Sequence, residues 1–307
     1  EKIGNFLINR SHVWFSFKLF YVNPSMYFQL RNARPQIIHT IGVRSFQSLI
    51  AAIISKRMKI PLVVSDQGGL TTHPDIKTGR FIDRIFYNIQ KPFTNFVIRQ
   101  ATKISVPNEY EREIFSKLID PAKIQVIKNG INVEQLSSIK LNDFKTKYNI
   151  ECDFILFVGR FAKVKGVDIL LNAWSIIKQK NQNLNLKLII MGVDFGFEFD
   201  MFRMIENLRI SDSIIVIRKP PREDVLAAYS QCLFLVLPSR WELSPLTPLE
   251  GFAFKKPVIS TTAHGIPHTI TNNENSILVE SENSTKLADA IIDLFKDDVK
   301  RTQFGNA

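Results

Sequence analysis

Short apolar runs alternate with longer amphipathic segments along most of this chain, and that alternation restricts its fold more than any other feature. Residues 36–39 read as a strand, 45–58 as a helix, 62–65 as a strand, 81–100 as one or two helices around Pro92, and 103–106 as a strand. A helix over 109–118 follows an Asn108 cap, and a strand over 123–127 ends in the turn signal Lys128-Asn129-Gly130. After a polar stretch, strands recur near 154–158, 187–191, 214–217, 233–237 and 257–259, with a helix over 285–295. Strands that alternate with helices imply parallel sheets joined by right-handed crossovers, so the expected class is α/β. The restart at Phe154 divides the chain into two lobes, one over 1–135 and one over 150–307.

Composition narrows the function classes. With 307 residues and 45% apolar content the chain has material for two packed cores. No apolar stretch reaches the length of a membrane span, and no leader pattern opens the chain. Cys152 and Cys232 stand alone beside strands and read as buried thiols, and no His, Cys or Asp cluster has metal-ligand spacing. The net charge of +11 is lopsided: residues 1–136 carry 19 Lys and Arg against 9 Asp and Glu, whereas the remainder carries 21 against 20. A basic first lobe suits nucleic acid, anionic lipid or a phosphorylated substrate, with plain solubilising charge as the competing reading. Its aromatic segment, Trp14 to Phe28, has two readings: packed core, or a basic and aromatic face toward a lipid interface or an acceptor. His39, within a strand, reads as a core residue.

The densest run of chemistry is 238–260. Glu242 and Glu250 flank the junction between the strand near 233–237 and a helix that begins near Ser244 or Thr247. In an open parallel sheet ligands bind beyond the carboxyl ends of the strands, and a helix N-terminus there presents N–H groups to an anion. A purely structural reading competes, because Thr247-Pro-Leu-Glu250 fits a capping box with Thr247 as N-cap and Pro248 at the first helical position. Glu242 precedes the helix, caps nothing, and shares its loop with Arg240, Trp241 and Ser244.

This run, with Pro238-Ser, the two glutamates and Pro257-Val-Ile, resembles the signature of the retaining nucleotide-sugar glycosyltransferases of family 4. A second signature of that family is matched upstream by Phe154-Ile-Leu-Phe-Val-Gly159-Arg160 and Lys165-Gly166. The resemblance implies a GT-B fold: two Rossmann-like parallel-sheet lobes facing a cleft, with the acceptor side in the N-terminal lobe and the donor in the C-terminal one. It implies that Gly159, Arg160 and Lys165 hold the donor diphosphate together with Ser244, Leu246 and Thr247 at the helix start. Glu250 would accept from ribose hydroxyls, Glu242 would meet the donor sugar, and Arg218 and Lys219 would lie against the nucleobase. Where the family often carries a catalytic His in its first lobe, this chain has Gln67, so Asp66 or Gln67 would hold the sugar or acceptor. Further departures are Pro245, which has no N–H to donate, and His268 in place of a Glu. Asn129-Gly130-Ile-Asn132 matches the motif between the lobes. Set against the family, the chain is expected to be a fragment, with an N-terminal lobe that lacks the opening strand and its Gly-rich turn and without the last C-terminal helices.

The function implied is transfer of a sugar from a UDP-, GDP- or ADP-sugar to an acceptor hydroxyl, with retention and with no metal or other cofactor. The acceptor would be a carbohydrate or a lipid-linked molecule of cell-envelope or glycan synthesis, the partners would include an anionic membrane surface but no nucleic acid, and the location would be cytoplasmic or peripheral at the inner face of a membrane. A glycosidase pair is disfavoured because Arg160 and Lys165 would have no diphosphate to neutralise. A GT-B sugar-nucleotide epimerase and a non-catalytic partner subunit remain open, whereas a dinucleotide oxidoreductase lacks its Gly-x-Gly-x-x-Gly.

Overall fold

The computed structural model describes residues 2–17, 20–68, 70, 81–137, 139 and 141–307, with 81–84, 86 and 137 as backbone only. The chain divides into two compact units, Glu1–Lys128 and Asn129–Ala307.

The first unit opens with two antiparallel hairpins, β1 (Lys2–Ile3) with β2 (Phe6–Leu7) and β3 (Phe15–Phe17) with β4 (Phe20–Val22). Beyond them β5 (Ile38–Ile41), β6 (Leu62–Ser65), β7 (Lys103–Val106) and β8 (Ile124–Val126) form a parallel sheet in sequence order. The accompanying helices are α1 (Ser25–Ala33), α2 (Phe46–Met58), α3 (Phe81–Gln100) and α4 (Glu109–Ser116). Their starts follow local chemistry. The Ser45 side chain accepts the Ser48 N–H, and Asn108 accepts the Glu111 N–H at 3.0 Å, each satisfying a donor that the helix leaves open. Pro92 does not divide α3; it lies on the exposed face, where the carbonyl deprived of its partner is open to solvent.

Strand periodicity decides which residues reach the core. Ile38 and Thr40, Leu62 and Val64, and Ile104 and Val106 are buried, so their neighbours face the other way. His39 is therefore exposed rather than a core residue, with Nε2 2.8 Å from Ser65 Oγ. The aromatic segment splits. Phe20 meets Phe46 edge-on at 6.1 Å and Tyr27 accepts from Arg57 at 2.7 Å, while Trp14, Phe15, Tyr21 and Phe28 are exposed.

The second unit is a six-stranded parallel sheet of β9 (Asp153–Val158), β10 (Leu186–Gly192), β11 (Ile214–Arg218), β12 (Leu235–Leu237), β13 (Val258–Thr261) and β14 (Ser276–Val279). Its spatial order is β11-β10-β9-β12-β13-β14, the doubly wound arrangement in which the first strand lies centrally and the order reverses between the first and fourth. Helices α5 (Val133–Ser137), α6 (Phe144–Lys147), α7 (Val167–Lys180), α8 (Glu198–Asn207), α9 (Arg222–Gln231), α10 (Leu246–Ala253), α11 (Ser284–Lys296) and α12 (Asp298–Asn306) complete it. Both faces of the sheet are covered: along β9, Ile155 and Phe157 enter one core with Trp174, while Phe154 and Leu156 enter another with Tyr229. Strand β14 is additional to the sequence expectation, since Asn272-Asn273-Glu274-Asn275 makes its approach polar. Cys232 is buried, which pushes its thiol up to about 12; Cys152 is half-buried, short of the burial expected.

Burial of Asp224 at the start of α9 yields a prediction. Lys147 Nζ donates to both of its oxygens at 2.7 and 2.8 Å, and the Tyr148 hydroxyl donates at 2.6 Å. Burial acts to raise this carboxyl, but the donors outweigh it and the net shift is downward; burial and Asp224 together push Tyr148 up to about 12. A carboxyl lowered by folding adds stability that is complete above its unfolded value and is lost as pH falls through the folded one. Asp224→Asn should cost about 1–3 kcal/mol near pH 7, at the modest end because Lys147 is half-exposed. In urea titrations the gap from wild type should close below about pH 4.

Candidate functional site

The site is built where the sheet order reverses. Leaving β9, Gly159 donates its N–H to Met191 at 3.0 Å, and β10 passes so close that a Cβ on Gly192 would lie 1.8 Å from the Gly159 carbonyl oxygen. Phe161 then plunges into the core, which turns its neighbour Arg160 outward, where the guanidinium lies 4.8 Å over the Phe195 ring. A single 3-10 turn, Lys163–Lys165, leads to Gly166 at φ 70°. A Cβ there would stand 1.9 Å from the Pro238 carbonyl oxygen, so only glycine lets the loop after β9 touch the end of β12.

That approach brings the two sequence signatures together. Lys165 Nζ donates to Glu242 Oε1, which also accepts from Ser239 Oγ at 3.3 Å; among the described residues no donor meets Oε2. The pair is largely screened from solvent, with side chains 15% and 11% exposed. Beside it, Arg240 donates bidentately to Asp168 at 2.6 and 2.8 Å and to the Lys163 carbonyl at 2.6 Å, and it lies 3.3 Å from Glu282. Its own N–H reaches the Val164 carbonyl at 2.9 Å. Arg240 thus ties the loop that carries Glu242 to the loop that carries Lys165.

Helix α10 begins at Leu246, with Pro245 as an extended N-cap and no side-chain cap. This removes the capping-box reading. Thr247 lies inside the first turn, and Glu250 turns away to accept from Arg222 at 2.6 Å and from the Tyr229 hydroxyl at 2.9 Å. The N–H groups of Leu246 and Thr247 belong to the open first turn, whereas Pro248 has none to offer. Ser244, just before the helix, accepts at its carbonyl from Asn129 Nδ2 at 3.1 Å. Gly251 seats the helix on β12, because a Cβ there would meet Leu235 at 2.7 Å.

The remaining candidates fall elsewhere. Arg218 donates to Glu198 at 3.1 Å with its guanidinium over the Phe202 ring. Lys219 adopts a left-handed conformation, φ 48°, and gives its N–H to Gly192 at 2.7 Å. Asp66 and Gln67 follow β6 in the first unit. Asp66 is buried and accepts the Val43 N–H at 3.0 Å, fixing the loop after β5, while the Gln67 side chain is exposed. His268 is exposed in the turn Ile266–His268. Sequence reasoning missed the Arg240–Asp168 pair and the Arg222–Tyr229–Glu250 cluster, whose partners lie 72, 28 and 21 positions apart and follow no local period. Among the described residues no group of three or more His, Cys, Asp and Glu is placed to hold a metal ion, and no helix is long and apolar enough to cross a membrane.

Comparison with known proteins agrees with this geometry. Residues 138–307 match the family model of the glycosyl transferases group 1, and residues 5–135 match that of glycosyltransferase family 4. The chain is 28% identical over 264 residues to an uncharacterized glycosyltransferase of Methanocaldococcus jannaschii, covering 84% of this chain and 65% of that protein. It is 29% identical over 196 residues to the D-inositol 3-phosphate glycosyltransferase of Corynebacterium glutamicum, covering 61% and 46%. The chain therefore spans less than two thirds of either relative. Among solved structures, Anabaena HepE in complex with UDP superposes with a TM-score of 0.76 at 16% identity, covering 92% of this chain and 76% of that one. A glycosyltransferase from Rickettsia africae superposes at 0.72 and 20% identity, covering 92% and 73%. A doubly wound second unit, a glycine-dependent contact between its two signature loops and family matches along both units converge: the chain has the GT-B fold and belongs to the glycosyl transferases group 1 family.

Proposed function

We propose that the protein transfers a sugar from a nucleoside diphosphate sugar to an acceptor hydroxyl, with retention at the anomeric carbon and without a metal. The observation that carries this reading is the meeting of Lys165 with Glu242, 77 positions later, where the sheet order reverses. In such a transfer negative charge grows on the leaving diphosphate and positive charge on the anomeric carbon. Arg160 and Lys165 supply donors for the first, together with the first-turn N–H groups of α10, so positive charge is already in place at the leaving group. Glu242 is suited to the second, because its Oε2 remains open toward the sugar while Lys165 holds Oε1. Glu250 accepts from the ribose, and Lys219, which turns the chain after β11, lies with Arg218 toward the base. Asp66 and Gln67 are the candidates for the acceptor side in the N-terminal lobe, with the donor in the C-terminal lobe. UDP in the HepE structure supports a nucleoside diphosphate as the donor class. The acceptor belongs to the carbohydrates or lipid-linked carriers of envelope or glycan synthesis.

The test is turnover of UDP-, GDP- and ADP-sugars by the 307-residue chain, with released nucleoside diphosphate as the readout. One donor should be consumed only when an acceptor is present. Arg160→Ala, at an exposed position, should lower turnover by about 10²–10³-fold while moving stability by no more than about 0.5 kcal/mol. Consumption without an acceptor points instead to an epimerase, and binding without turnover to a non-catalytic subunit; either result overturns the proposal.

The basic first unit supports a peripheral location at the inner face of a membrane. Phe6, Leu7, Trp14 and Phe15 are exposed in its hairpins, in a unit rich in Lys and Arg, a combination that suits an anionic lipid interface. The chain should co-sediment with phosphatidylglycerol vesicles and not with phosphatidylcholine vesicles, and Phe6→Ser with Trp14→Ser should reduce the bound fraction several-fold. Equal binding to both vesicle types would exclude the electrostatic part.

A further inference from the structure

Neither oxygen of Glu250 is idle. Arg222 Nη2 donates to Oε1 at 2.6 Å, and the Tyr229 hydroxyl donates to Oε2 at 2.9 Å. The two donors differ in kind. Tyr229 is fully buried within the second unit, with its ring stacked on Phe254 at 6.0 Å, so its hydroxyl is a fixed point. Arg222 opens α9 and is half-exposed, so it closes the arrangement from the solvent side.

An ionised carboxylate is an acceptor only, with about four lone-pair sites over its two oxygens. One donor on each oxygen leaves roughly one further site on each, and the two existing bonds fix the plane in which those sites lie. A ligand that fills both must present two donors side by side. A vicinal diol such as the 2′- and 3′-hydroxyls of a ribose does so; a 2′-deoxyribose does not. Burial, and then the charge of Glu250, raises the Tyr229 hydroxyl well above its ordinary value, and the bond to Glu250 raises the Arg222 guanidinium, so both remain donors throughout the working pH range.

We infer that Tyr229 and Arg222 form a clamp that orients the Glu250 carboxylate for a vicinal diol, which makes them positioning residues that set preference for a ribonucleotide over its 2′-deoxy counterpart. This rests on the nucleotide-sugar reading above. A clamp that merely joined α9 to α10 would affect stability and leave sugar discrimination untouched, and that difference separates the two roles.

The experiment is calorimetric titration of the 307-residue chain with UDP, GDP and ADP, and then with the 2′-deoxy form of whichever binds. Wild type should bind the ribose form about 10–100-fold more tightly, the worth of one hydrogen bond to a charged acceptor. Glu250→Gln should bring that ratio toward one. Tyr229→Phe and Arg222→Met should each lower it about tenfold through weaker binding of the ribose form, with the 2′-deoxy affinity unchanged, whereas Arg222→Lys should restore part of it. Because Tyr229 is buried, the exposed Arg222→Met variant keeps the test decisive if Tyr229→Phe fails to fold. Retention of the wild-type ratio by the clamp variants, with its loss in Glu250→Gln, overturns the clamp and spares the donor reading. A wild-type ratio in Glu250→Gln overturns the role of Glu250 and the clamp with it, and failure of all three nucleotides to bind overturns the donor reading itself.

Discussion

The contact between Gly166 and the Pro238 carbonyl is the constraint on which the rest of the second unit's chemistry depends. With no Cβ at 166, the loop after β9 lies against the end of β12, and a methyl group there would stand 1.9 Å from a backbone oxygen. From that proximity follow the Val164 carbonyl accepting from Arg240, the Arg240–Asp168 fork and the ion pair between Lys165 and Glu242. Gly192 does the same for the other neighbour of β9, since a Cβ there would stand 1.8 Å from the Gly159 carbonyl oxygen. The site is thus held by backbone packing first and by charge second. Charged side chains then add direction to loops whose separation is already fixed.

The ion pairs of this unit divide the labour. Arg240 spends its fork on Asp168 and a carbonyl, and is a structural tie between loops. Lys165 and Glu242 form a simpler pair in which, among the described residues, one oxygen of the carboxylate meets no donor. A pair that is complete stays complete when a ligand arrives, while a pair with open valence can be extended by one.

Much of this was legible in the sequence. Strands β6 and β7 have the bounds that periodicity gives them, because Leu62–Ser65 and Lys103–Val106 alternate cleanly between core and surface. Gly159, Arg160 and Lys165 stand out in the sequence through their resemblance to a family signature, and Glu242 and Glu250 through their place at a strand–helix junction; the structure brings Lys165 to Glu242. Other features were not legible for a physical reason. Strand β14 is short and follows a polar turn, so its pairing to β13 is a tertiary event. Helix α10 starts at Leu246, between Ser244 and Thr247 where the sequence puts it, but the capping box on Thr247 is absent because Pro245 takes the extended N-cap conformation. The Arg222–Tyr229 contact to Glu250 arises from two helices crossing at positions set by the whole sheet, and no window of sequence contains it.

Burial alone does not distinguish the carboxylates of the second unit. Asp224, Asp168, Glu242 and Glu250 are all largely removed from solvent and all meet a cation. The source of their donors separates them. Asp224 accepts three bonds from Lys147 and Tyr148, and Asp168, with one donor on each oxygen, is gripped by the single guanidinium of Arg240 that ties two loops together. Glu242 has both of its donors on one oxygen, and Glu250 has one donor on each, so both retain acceptor sites in a fixed orientation. The two glutamates therefore keep acceptor sites for further donors, Glu242 on one oxygen and Glu250 on both, held at the end of β12 and the start of α10 where the sheet order reverses.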